Sequence, residues 1–264
     1  MLNIYEETKP IYVIGDIHGD YSLMLFKIRQ LQLAECAIIV AGDCGIGFNK
    51  STYYIDTFKK LNKKLNKYNI TIYMVRGNHD DPSYFDNRKY GNIICLSDYS
   101  IIRNNNNNIL CIGGAISIDR RSRIAYDKRQ LSIIKRYTTK VDNIKKTYWD
   151  NEAPIYNDII IKEIKKNCDI NVIVSHTSPG FCYPMVKAGI EYELSLDVQL
   201  EEDLTLERSI MTSIYNEFKD TVVKYVYGHF HKTNIEYIDN TKFVCLDCVQ
   251  NYIGLKDNLA IEVI

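Results

Sequence analysis

The sequence predicts a mixed α/β protein built on two β-sheets, and three observations predict it. Ten short apolar runs recur along the 264 residues. Two stretches with helical spacing separate the first three runs, and short connections such as the polar turn "IDNTK" join the last four. Runs this short and rich in β-branched residues suit buried strands.

The elements follow in order. The first run, "IYVIG" (11–15), leads to residues 20–33, where Leu23, Phe26, Ile28 and Leu31 have helix-like spacing. "AIIVAG" (37–42) leads to 51–67, with Tyr54, Phe58, Leu61 and Leu65 at the same spacing, and then comes "ITIYMV" (70–75). A β-α-β-α-β opening of this kind implies parallel strands joined by right-handed crossovers. "IICL" (93–96) and "ILCIGG" (109–114) continue the series, and "NNNNN" (104–108) before the latter reads as a hairpin loop. The later runs are "NVIVS" (171–175), "VKYVYG" (223–228), "IEYI" (235–238), "KFVCL" (242–246) and "LAIEVI" (259–264). Short turns between the last four suggest an antiparallel meander. Residues 115–160 form an insertion rich in charge and aromatic rings. Residues 180–207 form an acidic, cap-like segment that enters a helix near Thr205. No linker or shift in composition divides the chain, so one domain spanning 1–264 is expected.

Composition narrows the function. Lys+Arg and Asp+Glu are equal at 33 each, which leaves no overall electrostatic footprint for nucleic acid or an anionic membrane. No apolar run approaches the roughly 18 residues of a membrane span, and "MLNIYEETKP" has no signal-peptide core, so a cytoplasmic protein is expected. Its eight cysteines then read as reduced thiols, with Cys95, Cys111 and Cys245 in apolar runs. Cys245 and Cys248 form a CxxC without a second pair, which argues against a zinc ribbon.

Chemistry collects at the strand ends. The first run ends in "GDIHGD" with Asp16 and His18, and the second in "AGDC" with Asp43. The third ends in "RGNHDD", which supplies Asn78, His79 and Asp80. "SHTSP" supplies His176, and "VYGHFH" supplies His229 and His231, two residues apart. All five histidines of the chain thus directly follow an apolar run. The carboxyl ends of parallel strands line one crevice, so these side chains are expected to converge. Imidazoles, carboxylates and one amide oxygen, without thiolate, suit Mn, Fe or Zn. Seven candidate ligands exceed a single tetrahedral site and suit two ions about 3.5–4 Å apart, bridged by a carboxylate and a hydroxide that attacks phosphorus.

The ordered set DxH, GD, GNHD, a lone His and GHxH, from Asp16 to His231, resembles the calcineurin-like metallophosphoesterase superfamily. The resemblance implies a double β-sandwich flanked by helices in four α/β/β/α layers. It also implies roles: Asp16, His18 and His231 on one metal, Asn78, His176 and His229 on the other, and Asp43 bridging both. His79 would be the acid near the leaving group, held by Asp80. The cofactor implied is a pair of divalent ions, Mn²⁺ first, with Fe, Zn or Ni as alternatives. The insertion with "GGAISIDRR" is similar to small metallophosphoesterases of bacteria and phages, a likeness that fixes no substrate.

Departures from the superfamily pattern guide the substrate. Relatives acting on phosphoproteins resemble "GDxVDRG" and "GNHExR", whereas this chain reads "GDCGIGF" and "GNHDDP", without those arginines. That weakens a protein serine/threonine phosphatase reading. Arg120, Arg121 and Arg123 in "SIDRRSR" are substitute phosphate grips, set against a solvated charged loop. Trp149 beside Tyr148 reads as packing more readily than as a stacking platform. The expected activity is hydrolysis of a phosphate mono- or diester of a small molecule or nucleotide. A nuclease, a protein serine/threonine phosphatase and a non-catalytic scaffold are the alternatives. Oligomeric state is left open.

Overall fold

The computed structural model describes residues 2–105, 107–137, 146–183, 189–251 and, for the backbone, 261–263. In chain order the first half holds β1 (Ile4–Glu6), β2 (Ile11–Ile14), α1 (Tyr21–Gln30), β3 (Ala37–Val40), α2 (Ser51–Lys67), β4 (Thr71–Met74), β5 (Arg88–Tyr90), β6 (Ile93–Cys95), β7 (Ser100–Asn104) and β8 (Asn107–Ile112). The second half holds α3 (Arg120–Tyr137), α4 (Asp158–Asn167), β9 (Val172–Ser175), α5 (Ile190–Leu196), α6 (Leu200–Phe218), β10 (Lys224–Tyr227), β11 (Asn234–Ile238), β12 (Thr241–Cys245) and β13 (Ile261–Val263).

Two sheets result. One runs β13-β2-β3-β4-β6-β5, and the other β1-β7-β8-β9-β10-β12-β11. Both have parallel centres: β2, β3, β4 and β6 in the first, β8, β9, β10 and β12 in the second. Their inner faces meet in a shared core of Val13, Ile39, Tyr73, Val174, Val226 and Val244 with their neighbours. The outer face of the first sheet packs on α1 and α2, and that of the second on α4 and α6. The four-layer α/β/β/α sandwich is therefore present. Central strands here are buried on both faces, which is why they read as continuous apolar runs rather than alternating ones.

Several expectations need correction. The last strands are not an antiparallel meander: β10 pairs parallel with β12, and β11 lies outside β12 at the sheet edge. Only β11 and β12 make a hairpin, through the "IDNTK" turn in which Asp239 has a φ of 51°. The run at 259–264 leaves this sheet altogether, because β13 pairs antiparallel with β2. Part of that run, residues 259, 260 and 264, lies outside the described residues. The insertion at 115–160 holds the 18-residue helix α3 rather than a charged loop over Arg120–Arg123. In the acidic segment, α6 begins at Leu200 rather than near Thr205, with Glu201, Glu202 and Asp203 in its first turn, where carboxylates favour a helix start.

In α1 the buried side is Tyr21, Met24, Leu25, Lys27 and Ile28, while Phe26 points outward at 58% exposure. The Asp20 carboxylate accepts from Leu23 N and fixes where the helix begins, so a 3.6-residue period places 21, 24, 25 and 28 on one stripe. In α2 the expected face is the observed one, with Tyr54, Phe58, Leu61 and Leu65 buried.

The two helices make a direct comparison. Phe58→Ala empties a fully buried site and is expected to cost about 3–5 kcal/mol in urea unfolding. Phe26→Ala is expected to stay within about 0.5 kcal/mol. Equal losses at both positions would contradict the register of α1.

Candidate metal centre

The carboxyl ends of β2, β3, β4, β9 and β10 open onto one place, and the loops leaving them carry every candidate ligand. Asp16 and Asp43 lie there almost fully buried, at 0% and 2% exposure. Each accepts a backbone N–H from a loop that follows a different strand. Asp16 Oδ1 accepts from His229 N at 3.0 Å, and Asp43 Oδ1 accepts from His79 N at 2.8 Å. Space for these approaches comes from glycine. A Cβ on Gly228 would lie 2.2 Å from Asp16 Oδ1, and one on Gly77 would lie 2.2 Å from Asp43 Oδ1. Both are closer than any side-chain carbon tolerates, so each carboxylate sits where only a glycine lets the neighbouring loop come near.

The chain conformation is strained at the same residues. His18, Asp43, His229 and His231 all have positive φ, between 44° and 70°, a region that costs a non-glycine residue of the order of 1–2 kcal/mol. The turns aim their side chains inward. Asp16, His18, Asp43 and His231 each offer one ligand atom, all within 4.8 Å of one another. His231 Nε2 is 3.1 Å from Asp16 Oδ2 and 3.0 Å from His18 Nε2, and His18 Nδ1 is 3.7 Å from Asp43 Oδ2.

A second group adjoins the first through Asp43. The His176 ring is fully buried, and its Nδ1 lies 2.8 Å from Ala41 O. A carbonyl only accepts, so Nδ1 carries the proton and Nε2 faces the site. Nε2 is 3.0 Å from Asn78 Oδ1 and 3.2 Å from Asp43 Oδ1, and the His229 ring lies 5.0 Å from the His176 ring.

Asn78 has a fixed orientation. Ser117 N and Oγ both donate to the Glu152 carboxylate at 2.7 Å, so Ser117 Oγ is left to accept from Asn78 Nδ2 at 3.0 Å. The amide oxygen therefore faces His176. Burial raises the Glu152 pKa to about 8, against the pull of its Ser117 hydrogen bonds.

The electrostatics are those of a site short of positive charge. Burial alone would raise Asp43, but the imidazoles of His79, His176 and His18 hold it well below the usual carboxylate range. Burial would likewise lower His176, but Asp43 and Asp16 outweigh it and carry the ring up to about 9. Asp16 Oδ2 is buried and accepts no hydrogen bond among the described residues. Lone pairs of carboxylate, imidazole and amide thus converge at about 3 Å with one carboxylate oxygen unsatisfied, an arrangement that fits divalent cations.

Not every candidate reaches this centre. Asp80 is buried beneath it, and its carboxylate accepts from Cys44 N, Ile46 N and Gly77 N. It holds the loops after β3 and β4 together, and its hydrogen bonds go to those loops rather than to the His79 ring. The next residue, Asp81, caps the short 3-10 turn Pro82–Tyr84, its side chain accepting from Ser83 N. The His79 ring lies 5.1 Å from that of His18, with Nε2 2.6 Å from Arg123 Nη2. Arginine only donates, so this nitrogen accepts. Burial lowers the His79 pKa to about 4, with Arg123 acting the same way against Asp43. Arg123 is thus the arginine of the three that meets the site. Arg120 is paired with Asp197 at 2.7 Å and Asp203 at 2.6 Å, and Arg121 is exposed. Trp149 is buried, with its ring 5.3 Å from that of Phe48, a packing role.

Three contributors were missed in the sequence: Ser117, Glu152 and Glu207. Glu207 is buried and accepts from Ile116 N and Thr177 Oγ1, which ties α6 to the loops after β8 and β9. Its place on the helix face that carries Met211 and Ile214 was a usable signal, since a carboxylate there needs partners. Nothing in the local pattern singles out Glu152.

A sequence profile described as calcineurin-like phosphoesterase matches residues 9–233, from before the first strand-end motif to just past the last. The chain belongs to the calcineurin-like phosphoesterase family. It is a hydrolase acting on phosphoesters, in a family that uses divalent metals. No curated protein sequence matches it significantly. Among solved structures, phosphopantetheinyl hydrolase from Mycobacterium tuberculosis aligns over 96% of this chain and 95% of its own, at 14% identity and a TM-score of 0.44. A cold-active protein-tyrosine phosphatase of a psychrophilic Shewanella aligns over 94% and 73%, at 13% identity and 0.36. A third crystal structure superposes at a TM-score of 0.50 over 92% of each chain with 13% identity, which supports the fold alone. Among the described residues no helix is long and apolar enough to cross a membrane.

Removing the Ser117 hydroxyl tests the orientation of Asn78. Ser117→Ala is expected to weaken Mn²⁺ binding roughly 10–100-fold, read by calorimetric titration, and to lower the melting temperature by a few degrees because buried Glu152 and Asn78 each lose a partner. Unaltered affinity would mean that Asn78 needs no such support.

Proposed function

We propose that this phosphoesterase hydrolyses a phosphate mono- or diester of a small molecule or nucleotide with a pair of divalent ions, manganese first among them. The observation that carries the reading is the convergence of two buried carboxylates, imidazoles and the Asn78 amide oxygen around Asp43. Asp16, His18 and His231 would hold one ion, Asn78, His176 and His229 the other, and Asp43 both. Ions bound there polarise a phosphoryl oxygen and make water a stronger nucleophile at neutral pH.

The chain's own residues supply the rest. His79 and Arg123 stand together beside the cluster, in the wall of an open groove of about 380 Å³ that also includes Phe48, Tyr126 and Thr147. Arg123 can stabilise charge on phosphate or on the departing oxygen, a task suited to its fixed fork of donors. His79 would pass a proton to that oxygen once the phosphate draws Arg123 off its Nε2 and its negative charge raises the ring's pKa from about 4. Asp80 supports this by holding Gly77 and the loop that carries His79.

A second reading, a nuclease, is favoured by α3. Residues 120–137 carry seven Lys/Arg against one Asp, so the helix that supplies Arg123 is strongly basic although the whole chain is neutral. A scaffold reading would be favoured by a lost ligand, and every residue of the set is present in the sequence.

Chelator-treated protein should be inactive and regain activity with Mn²⁺ on p-nitrophenyl phosphate or bis-p-nitrophenyl phosphate. Faster diester turnover would direct attention to phosphodiesters and oligonucleotides, and faster monoester turnover to phosphatase substrates. Asp43→Asn is expected to lower kcat/KM by roughly a hundredfold or more. Native activity in that variant would overturn the bridging assignment.

A further inference from the structure

We propose that the cavity between α5, α6 and the end of β10 binds the organic group of the phosphoester, and that this group is apolar and carries no negative charge. The inference rests on the phosphoesterase reading above and names the substrate class of the same site. The cavity has a volume of about 540 Å³, well within the range of small-molecule sites, roughly 300–1,000 Å³. His229 forms part of its wall, so the cavity adjoins the cluster at the strand ends. One molecule can therefore set its phosphate among those residues and its remainder in the cavity.

The wall defines what fits. Ile118, Ile190, Leu194 and Leu204 are half-buried and line it, with buried Phe230 beside His229. An apolar ligand would remove these aliphatic groups from water without a conformational change, the usual source of affinity in a concave site.

Charge sets the second limit. Residues 189–207 carry seven carboxylates and no lysine or arginine. Arg120 pairs with Asp197 and Asp203, and Glu207 is tied to Ile116 and Thr177. That leaves Glu191, Glu193, Glu201 and Glu202 to repel an anionic tail, with Glu201 in the cavity wall itself. Arg208 also lines the cavity, but its guanidinium lies 5.1 Å over the Phe230 ring and donates to Cys182 O at 3.0 Å. Its charge is turned toward that ring and carbonyl and is opposed by the neighbouring Glu207. The basic helix α3 belongs to the other groove, beside His79. The site thus lies between a cationic side and an apolar side edged with carboxylates, and the two ends of a substrate would be told apart by that difference.

The experiment is calorimetric titration of the manganese-loaded protein with methyl-, butyl- and hexylphosphonate and with 6-phosphonohexanoate. Affinity is expected to rise about fourfold for each methylene up to hexyl. It should fall at least tenfold when the chain ends in carboxylate. Leu194→Trp, which fills the cavity, should reduce the hexyl-to-methyl ratio to near one. Ser209→Trp, on the exposed side of α6, serves the same purpose should the first variant not fold. Equal affinity across the series, no binding of any phosphonate, tighter binding of the carboxylate, or an undiminished ratio in the filled variants would overturn the proposal. A rising series in a protein that hydrolyses no phosphoester would leave this pocket standing and refute the catalytic reading instead.

Discussion

Two carboxylates buried at strand ends are the constraint on which the rest of the structure depends. Asp16 and Asp43 are removed from water, where an unpaired negative charge is costly, and each is partly satisfied by a backbone N–H from a loop of another strand. The arrangement works only because Gly228 and Gly77 precede those loops' ligands and leave room for the carboxylate oxygens. The positive φ angles at His18, Asp43, His229 and His231 are a second consequence, since the chain must turn sharply to bring its side chains back to the same point. Backbone strain of this kind persists only where surrounding contacts over-determine it. Here a parallel strand fixes the start of each turn, and α1, α2 or the edge strand β11 takes up its far end.

Three further buried carboxylates extend the same scheme outward. Asp80 joins the loops after β3 and β4, Glu152 anchors Ser117 and through it Asn78, and Glu207 fastens α6 to the loops after β8 and β9. The 115–160 insertion and the acidic segment are thus bound to the centre by hydrogen bonds to buried carboxyl groups rather than by apolar packing alone. That attachment explains how elements remote in sequence form walls around one site. It also places opposite charges on its two sides, with α3 basic and the α5–α6 region acidic.

How far the sequence disclosed this depends on the element. The central strands were legible because both their faces are buried, and the strand-end residues were legible because histidine occurs nowhere else in the chain. Helix α2 was legible from Tyr54, Phe58, Leu61 and Leu65, a clean apolar stripe. Helix α3 was not, because no residue of it with a described side chain is fully buried, and its charges leave no apolar face to recognise. The order of the last strands was hidden for another reason. The connection from β10 to β11 is short enough for a hairpin, but it carries His229 and His231, whose inward turns send the chain past the place where β12 later inserts. In the centre itself the candidate residues could be read from the strand-end motifs, whereas the pairing of His79 with Arg123 could not, since forty-four positions separate them.

The central claim, that these side chains form one centre for two ions with Asp43 between them, is tested most directly by anomalous diffraction from Mn²⁺-soaked crystals. The account predicts two manganese peaks, one beside Asp16, His18 and His231 and the other beside Asn78, His176 and His229, with the Asp43 carboxylate touching both. A single peak, or two peaks of which Asp43 contacts only one, would contradict it.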